Sequence, residues 1–106
     1  MKVYNLTAES YPKEIESYNG TVLIDFFAEW CTPCKMLSPV IEDVALNAGK
    51  GVKICKVNVE SEKELAKKFG IMSVPTLVVI KNGEIRNRSI GVTGKKAILD
   101  MLEINK

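Results

Sequence analysis

The chain has no histidine. That absence removes Cys-His proteolysis, imidazole acid–base chemistry and most zinc sites together, because each depends on a side chain that titrates near neutrality or ligates through a neutral ring nitrogen. A long apolar run is also missing. The longest nearly apolar stretch, Ile71 to Ile80, is interrupted by Ser73, Pro75 and Thr76 and is too short to cross a bilayer. Met1-Lys2-Val3-Tyr4-Asn5 leads into a polar, charged stretch with no apolar segment of the signal-peptide kind, so a cytoplasmic location, where thiols are kept reduced, is expected. Excess charge is lacking too. Fifteen basic residues against thirteen acidic ones leave +2, with Lys and Glu interleaved, so neither nucleic acid nor a membrane surface is expected as a partner.

What remains is the composition of an ordinary soluble domain, 46% hydrophobic and 26% charged over 106 residues. That length builds one core, so a single domain spanning 1–106 is expected, and nothing in it demands more than a monomer. There are no repeats, low-complexity segments or linkers.

Periodicity divides the chain into alternating strands and helices. A short strand is expected at Val3–Leu6, then a helix within Ser10–Tyr18. Pro12 suits only a first turn, which favours Ser10 over Thr7 as its cap. Val22–Ala28 reads as a buried strand. The helix beginning near Cys31–Pro33 carries the stripe Cys34, Leu37, Ile41, Val44, Ala48 at 3- and 4-residue steps, with Pro39 expected to kink it. Val52–Val59 is rich in β-branched residues and reads as a third strand. Ser61-Glu62-Lys63-Glu64 has the pattern of a capping box, opening a short helix with Leu65 and Phe69 on one face and Gly70 as its stop. Thr76–Lys81 and Glu84–Ile90 flank Asn82-Gly83, a strong hairpin signal, and a last helix is expected over Lys95–Ile104 with Ile98, Met101 and Leu102 inward. The order βαβαβαββα predicts an α/β protein with a central mixed β-sheet, parallel in its first part, antiparallel at the terminal hairpin, and covered by helices on both faces.

The chemistry-bearing feature is Trp30-Cys31-Thr32-Pro33-Cys34, directly behind the apolar strand. A disulfide closing so short a loop restrains the unfolded chain by only about 2 kcal/mol, a poor structural staple but a usable switch. Cys31 falls at a helix start, where backbone N–H groups and the dipole favour a thiolate. A free thiol near pKa 8.5 is only about 3% ionised at pH 7, and lowering it by ~1.5 takes roughly 2 kcal/mol, within reach of a helix terminus plus one hydrogen bond. Cys31 is therefore the expected nucleophile. Cys34, one turn on, is expected to resolve a mixed disulfide by attacking the Cys31 sulfur. Pro33 fits the first turn.

The alternative for such a pair is half of a metal site, but Cys55 is the only other thiol and no histidine completes a set of four ligands. Asp25 is the odd residue of its strand. A carboxylate there is costly to ionise, so its pKa should be raised, and it is placed to take the Cys34 proton; the bland reading is a solvated strand-end Asp. Lys56 could lie near it from the neighbouring strand or be an ordinary exposed lysine. Cys55 reads as a small buried core residue. Trp30, beside the reactive pair, is better placed for docking substrate than for the core. Pro75 is either a plain strand-start proline or a cis one in a tight turn.

Taken together, Trp30-Cys31-Thr32-Pro33-Cys34-Lys35, Val74-Pro75-Thr76 and Lys81-Asn82-Gly83, with Asp25 to Trp30 before the motif, Pro39, Lys56-Val57-Asn58 and Gly91, resemble the thioredoxin family over essentially the whole chain. The resemblance implies the thioredoxin fold and reduction of protein disulfides through a Cys31/Cys34 dithiol–disulfide cycle. It implies a cis Val74-Pro75 peptide, Asp25 as the buried acid/base with Lys56 tuning it, and a substrate groove from Trp30, Thr32, Pro33, Val74, Pro75, Gly91 and Val92. It further implies no cofactor in the chain itself and recharging by a flavin-containing thioredoxin reductase, the chain serving as a general electron donor in redox homeostasis. Two positions depart from the usual pattern: Thr32, where Gly is common, and Phe27, where many members have Trp. An oxidase or isomerase on the same fold, a non-catalytic binding module and glutathione-dependent chemistry are the competing readings. The missing signal, the intact pair with Asp25, and the residues between the cysteines argue against them in turn.

Overall fold

The computed structural model describes residues 3–103. Five strands form one sheet in the order β1-β3-β2-β4-β5. Strands β1 (Val3–Asn5), β3 (Val52–Asn58) and β2 (Thr21–Phe27) run parallel, and β4 (Thr76–Lys81) and β5 (Glu84–Ile90) are antiparallel additions. The parallel strands need crossovers, and these supply helices to both faces. Asn82 and Gly83 both take positive φ (51° and 85°), as the tight primed turn of a two-residue hairpin demands.

Alternation along the central strands splits the core into two layers. On one face, Leu23, Ile54, Leu77 and Val79 pack against Leu37, Ile41 and Val44 of α1 (Thr32–Asn47), its C-cap residue Ala48, and Ile98 of α3 (Lys95–Met101). On the other, Val22, Ile24, Phe26, Cys55, Val57 and Val78 pack against Leu65 of α2 (Lys63–Lys68), Phe69 and Ile15. Phe69 meets the rings of Phe26 and Tyr11 at 5.4 and 5.9 Å between centroids. Pro39 lies inside α1 without ending it.

Local side chains overrule several expected caps. The first helix is a five-residue π-helical segment, Pro12–Glu16, because the Pro12 carbonyl accepts from the Ser17 amide five residues on. Thr7, not Ser10, caps the turn before it: the Ser10 amide donates to Thr7 Oγ1 (3.1 Å) while Ser10 Oγ accepts from the Thr7 amide (3.0 Å). The capping box at Ser61–Glu64 does not form. Asn58 at the end of β3 takes the amides of Glu60 and Ser61 on its Oδ1 and the Ser61 hydroxyl on its carbonyl, so α2 begins after Glu62 with no side-chain cap. α3 ends at Met101, short of the expected Ile104, which lies outside the described residues; Glu103 already turns to φ 63°.

Candidate active site

The site lies where β2 and β3 end and α1 begins. Cys31 is the N-cap residue of α1, in extended conformation (φ −90°, ψ 109°), and its Sγ accepts the Cys34 amide at 3.1 Å. A 16-residue helix thus presents its positive end to one sulfur, an arrangement that stabilises negative charge there. Cys31 and Cys34 are joined as a disulfide with Cα atoms 5.2 Å apart, and both are nearly buried. Thr32 and Pro33, between them, are exposed in the first helical turn.

Asp25 sits behind the pair. Cross-strand register sets it directly between Lys56 of β3 and Leu77 of β4, and places Asn5 of β1 beyond Lys56 in the same row. The carboxyl is 4% exposed and its Oδ1 has no hydrogen-bond partner. Burial pushes its pKa up from 3.8 to about 6, against a smaller downward pull from the Lys56 charge. Asp25, Cys34, Lys35, Glu29 and Lys56 share a cavity of about 390 Å³, so the second cysteine and the carboxyl meet one polar space. The Lys56 ammonium lies 5.4 Å from the Phe27 ring centroid.

A second, apolar groove of about 350 Å³ opens beside Cys31, lined by Trp30, Val59, Ile71, Met72, Ser73 and Val74. The Val74-Pro75 peptide is cis, and the Val74 carbonyl oxygen lies 3.8 Å from Cys31 Sγ. The Pro75 carbonyl accepts the Gly91 amide at 2.9 Å, which brings Gly91 and the half-exposed Val92 next to this turn. Trp30 is 68% exposed, and its Nε1 donates to Glu60 Oε2 at 2.8 Å.

A pair of cysteines at a helix start, a cis Val74-Pro75 turn whose Val74 carbonyl approaches the first sulfur, and a buried carboxyl sharing a cavity with the second come from segments spread along the chain. A thioredoxin family model matches residues 2–104. The chain belongs to the thioredoxin family. A thioredoxin of Bacillus subtilis (strain 168) is 40% identical over 102 residues, which span 96% of each chain. One of Rickettsia bellii (strain RML369-C) is 37% identical over 101 residues, 95% of this chain and 96% of the relative. One of Pseudomonas aeruginosa is 33% identical over 103 residues, 97% of this chain and 95% of the relative.

With the pair present and at bonding distance, this thioredoxin-family chain is a protein-disulfide oxidoreductase whose redox centre is Cys31/Cys34. Its partners are of the kinds the family uses, disulfide-bearing proteins and a thioredoxin reductase. Among the described residues no helix is long and apolar enough to cross a membrane.

The third thiol, Cys55, is fully buried on the opposite sheet face, and its pKa is pushed up to about 12 by burial. Val59, Glu60, Ile71 and Met72 were not singled out from the sequence. The amide of Val59 donates to the Phe27 carbonyl, so the loops after β2 and β3 run side by side; a parallel register read from the strands would have placed Glu60 near Trp30.

Proposed function

We propose that Cys31 is the attacking sulfur, Cys34 the resolving one and Asp25 the group that moves the Cys34 proton. The observation that carries this is the asymmetry of the pair: Cys31 holds the helix cap, and Cys34 shares the cavity with Asp25. The Cys31 thiolate attacks a substrate disulfide; the substrate S–S bond breaks, one thiolate leaves, and a mixed disulfide forms. Cys34 then yields its proton to Asp25 and attacks Cys31 Sγ. The mixed disulfide breaks, the second substrate thiolate leaves, and the Cys31–Cys34 bond forms, so two electrons have passed to the substrate. With a pKa of about 6, Asp25 is mostly ionised at neutral pH and can accept that proton. Lys56 keeps the value from rising further.

Trp30, Val74 and Pro75, flanked by Thr32, Pro33, Gly91 and Val92, would hold the substrate polypeptide in the apolar groove. A flavin-containing reductase would restore the dithiol. The protein would act in the cytoplasm as a monomer, one domain over 1–106, and as a general electron donor. Dithiothreitol-driven insulin reduction, followed by turbidity, tests the core of this reading. Wild type should accelerate it, Cys31→Ser should abolish the effect and Cys34→Ser should slow it. The iodoacetamide reactivity of Cys31 should titrate below pH 8. An ordinary thiol titration, or equal loss from either serine variant with no trapped mixed disulfide in Cys34→Ser, would overturn the assigned order.

A further inference from the structure

Met72 is 96% exposed, more than any other large apolar side chain among the described residues. It forms the lip of the apolar groove, facing solvent next to the half-buried Ile71 and Val74 and across from Trp30. One exposed apolar residue is ordinary. Met72 stands apart in its chemistry: a thioether is an apolar group that a hydroperoxide turns polar in one step. The thiols that would compete for the oxidant are shielded in the disulfide form, which leaves Met36 of α1, 61% exposed, as the competing exposed thioether among the described residues. Cys31 and Cys34 are bonded to each other, and Cys55 is fully buried.

We propose that Met72 is an oxidation site for hydroperoxides and that its sulfoxide weakens the docking of protein disulfides beside Cys31. The thioether sulfur attacks one peroxide oxygen. The O–O bond breaks, an S–O bond forms, sulfur gives up two electrons, and the peroxide leaves as water or an alcohol. The side chain keeps its length but now carries a strong acceptor on a wall that, apart from Ser73, is built of apolar side chains and Trp30. A polypeptide lying in the groove would strip water from that oxygen without replacing its hydrogen bonds. The proposal rests on the groove reading above. It confines the effect to substrates large enough to use the groove, because neither sulfur of the redox pair is altered.

Disulfide-form protein is treated with hydrogen peroxide, freed of oxidant, reduced and desalted. It is then mixed in single turnover with increasing insulin and, separately, with a small aromatic disulfide. Peptide mass analysis locates the added oxygen. The expected result is oxidation at Met72 and a roughly 5- to 10-fold rise in half-saturating insulin, with the limiting rate and the small-disulfide rate unchanged. Met72→Leu should show the same insulin kinetics with and without peroxide. Met72→Gln should resemble the oxidised wild type. Met36→Leu, which removes the exposed methionine on α1, should stay as sensitive as wild type. Trp30→Ala separates the two readings. If Trp30→Ala raises half-saturating insulin but Met72 oxidation does not, the oxidation proposal is wrong and the groove stands. If neither changes it, the groove reading fails and takes the proposal with it. Oxygen found on Met36 but not on Met72 also overturns it.

Discussion

Asp25, buried with an unpartnered Oδ1, should make the protein less stable as pH rises. Its carboxyl titrates at about 6 in the fold and at 3.8 when solvated. In that window the native state holds a proton that the unfolded chain has lost. Stability therefore declines as pH rises through it, and the decline is complete above the folded value. The gap corresponds to about 3 kcal/mol, most of which falls between pH 4 and pH 8. Asp25→Asn removes the titration while keeping the shape. The clean quantity is the change in the mutant-minus-wild-type difference with pH, because the packing and hydrogen-bond differences of the amide cancel in it. Urea unfolding of the disulfide form at pH 4, 6 and 8, followed by far-ultraviolet circular dichroism, measures it. The variant should gain about 2–3 kcal/mol on wild type from pH 4 to pH 8, and lose turnover by about 100-fold or more if the carboxylate is the proton acceptor. A difference that is flat with pH would show that Asp25 ionises in the fold as easily as in water. The argument from its burial and its unpartnered Oδ1 would then be wrong.

Lys56→Met removes the one charge that lowers the Asp25 pKa, so the carboxyl should titrate above 6; a carboxyl-carbon NMR titration that moves down or not at all would refute the assigned coupling. Cys55→Ser places a hydroxyl among Phe26, Val57 and Leu65 and should cost about 1–3 kcal/mol in urea unfolding, whereas insulin reduction should be unchanged. Gly20→Ala drives a Cβ to 2.7 Å from the Gly51 carbonyl oxygen and 2.9 Å from the Tyr18 ring. Because that carbonyl accepts the Thr21 amide at the start of β2, the variant should lose about 1–3 kcal/mol, read as a lower Tm; an unchanged Tm would mean the turn opens freely.

What could be read from the sequence was whatever is decided within a few residues. The hairpin strands fall at Thr76–Lys81 and Glu84–Ile90 as expected, since Asn82-Gly83 sets its own turn. The stripe Cys34, Leu37, Ile41, Val44, Ala48 is buried throughout, and Asp25 stood out as a lone charge in an apolar run. Caps were less legible because several local donors and acceptors compete for the same amides. Asn58 outcompetes Ser61 from the other side of the loop, and Thr7 and Ser10 bond each other instead of leaving Ser10 for the helix. The groove was only partly legible. Trp30 and Val74 came from motifs, but Val59, Ile71 and Met72 meet them through the parallel register of β2 and β3 and the cis turn before β4, which no local spacing encodes.

The same register isolates the third thiol. Cys55 and Lys56 are neighbours in β3, yet alternation sends Lys56 to the α1 face beside Asp25 and Cys55 to the α2 face among apolar side chains. A slip of β3 by one residue would reverse both. It would bring a free thiol to the face of the redox pair, where exchange could scramble the disulfide, and would drive an ammonium into the layer of Phe26 and Phe69. The apolar residues on both sides, Ile54 with Leu23 and Val57 with Phe26, cross-strand partners in that register, forbid the slip because each would lose its packed face. The core therefore decides which cysteines can react: the packing that fixes the strands also keeps the Cys31/Cys34 switch apart from the one other sulfur able to form a disulfide with it.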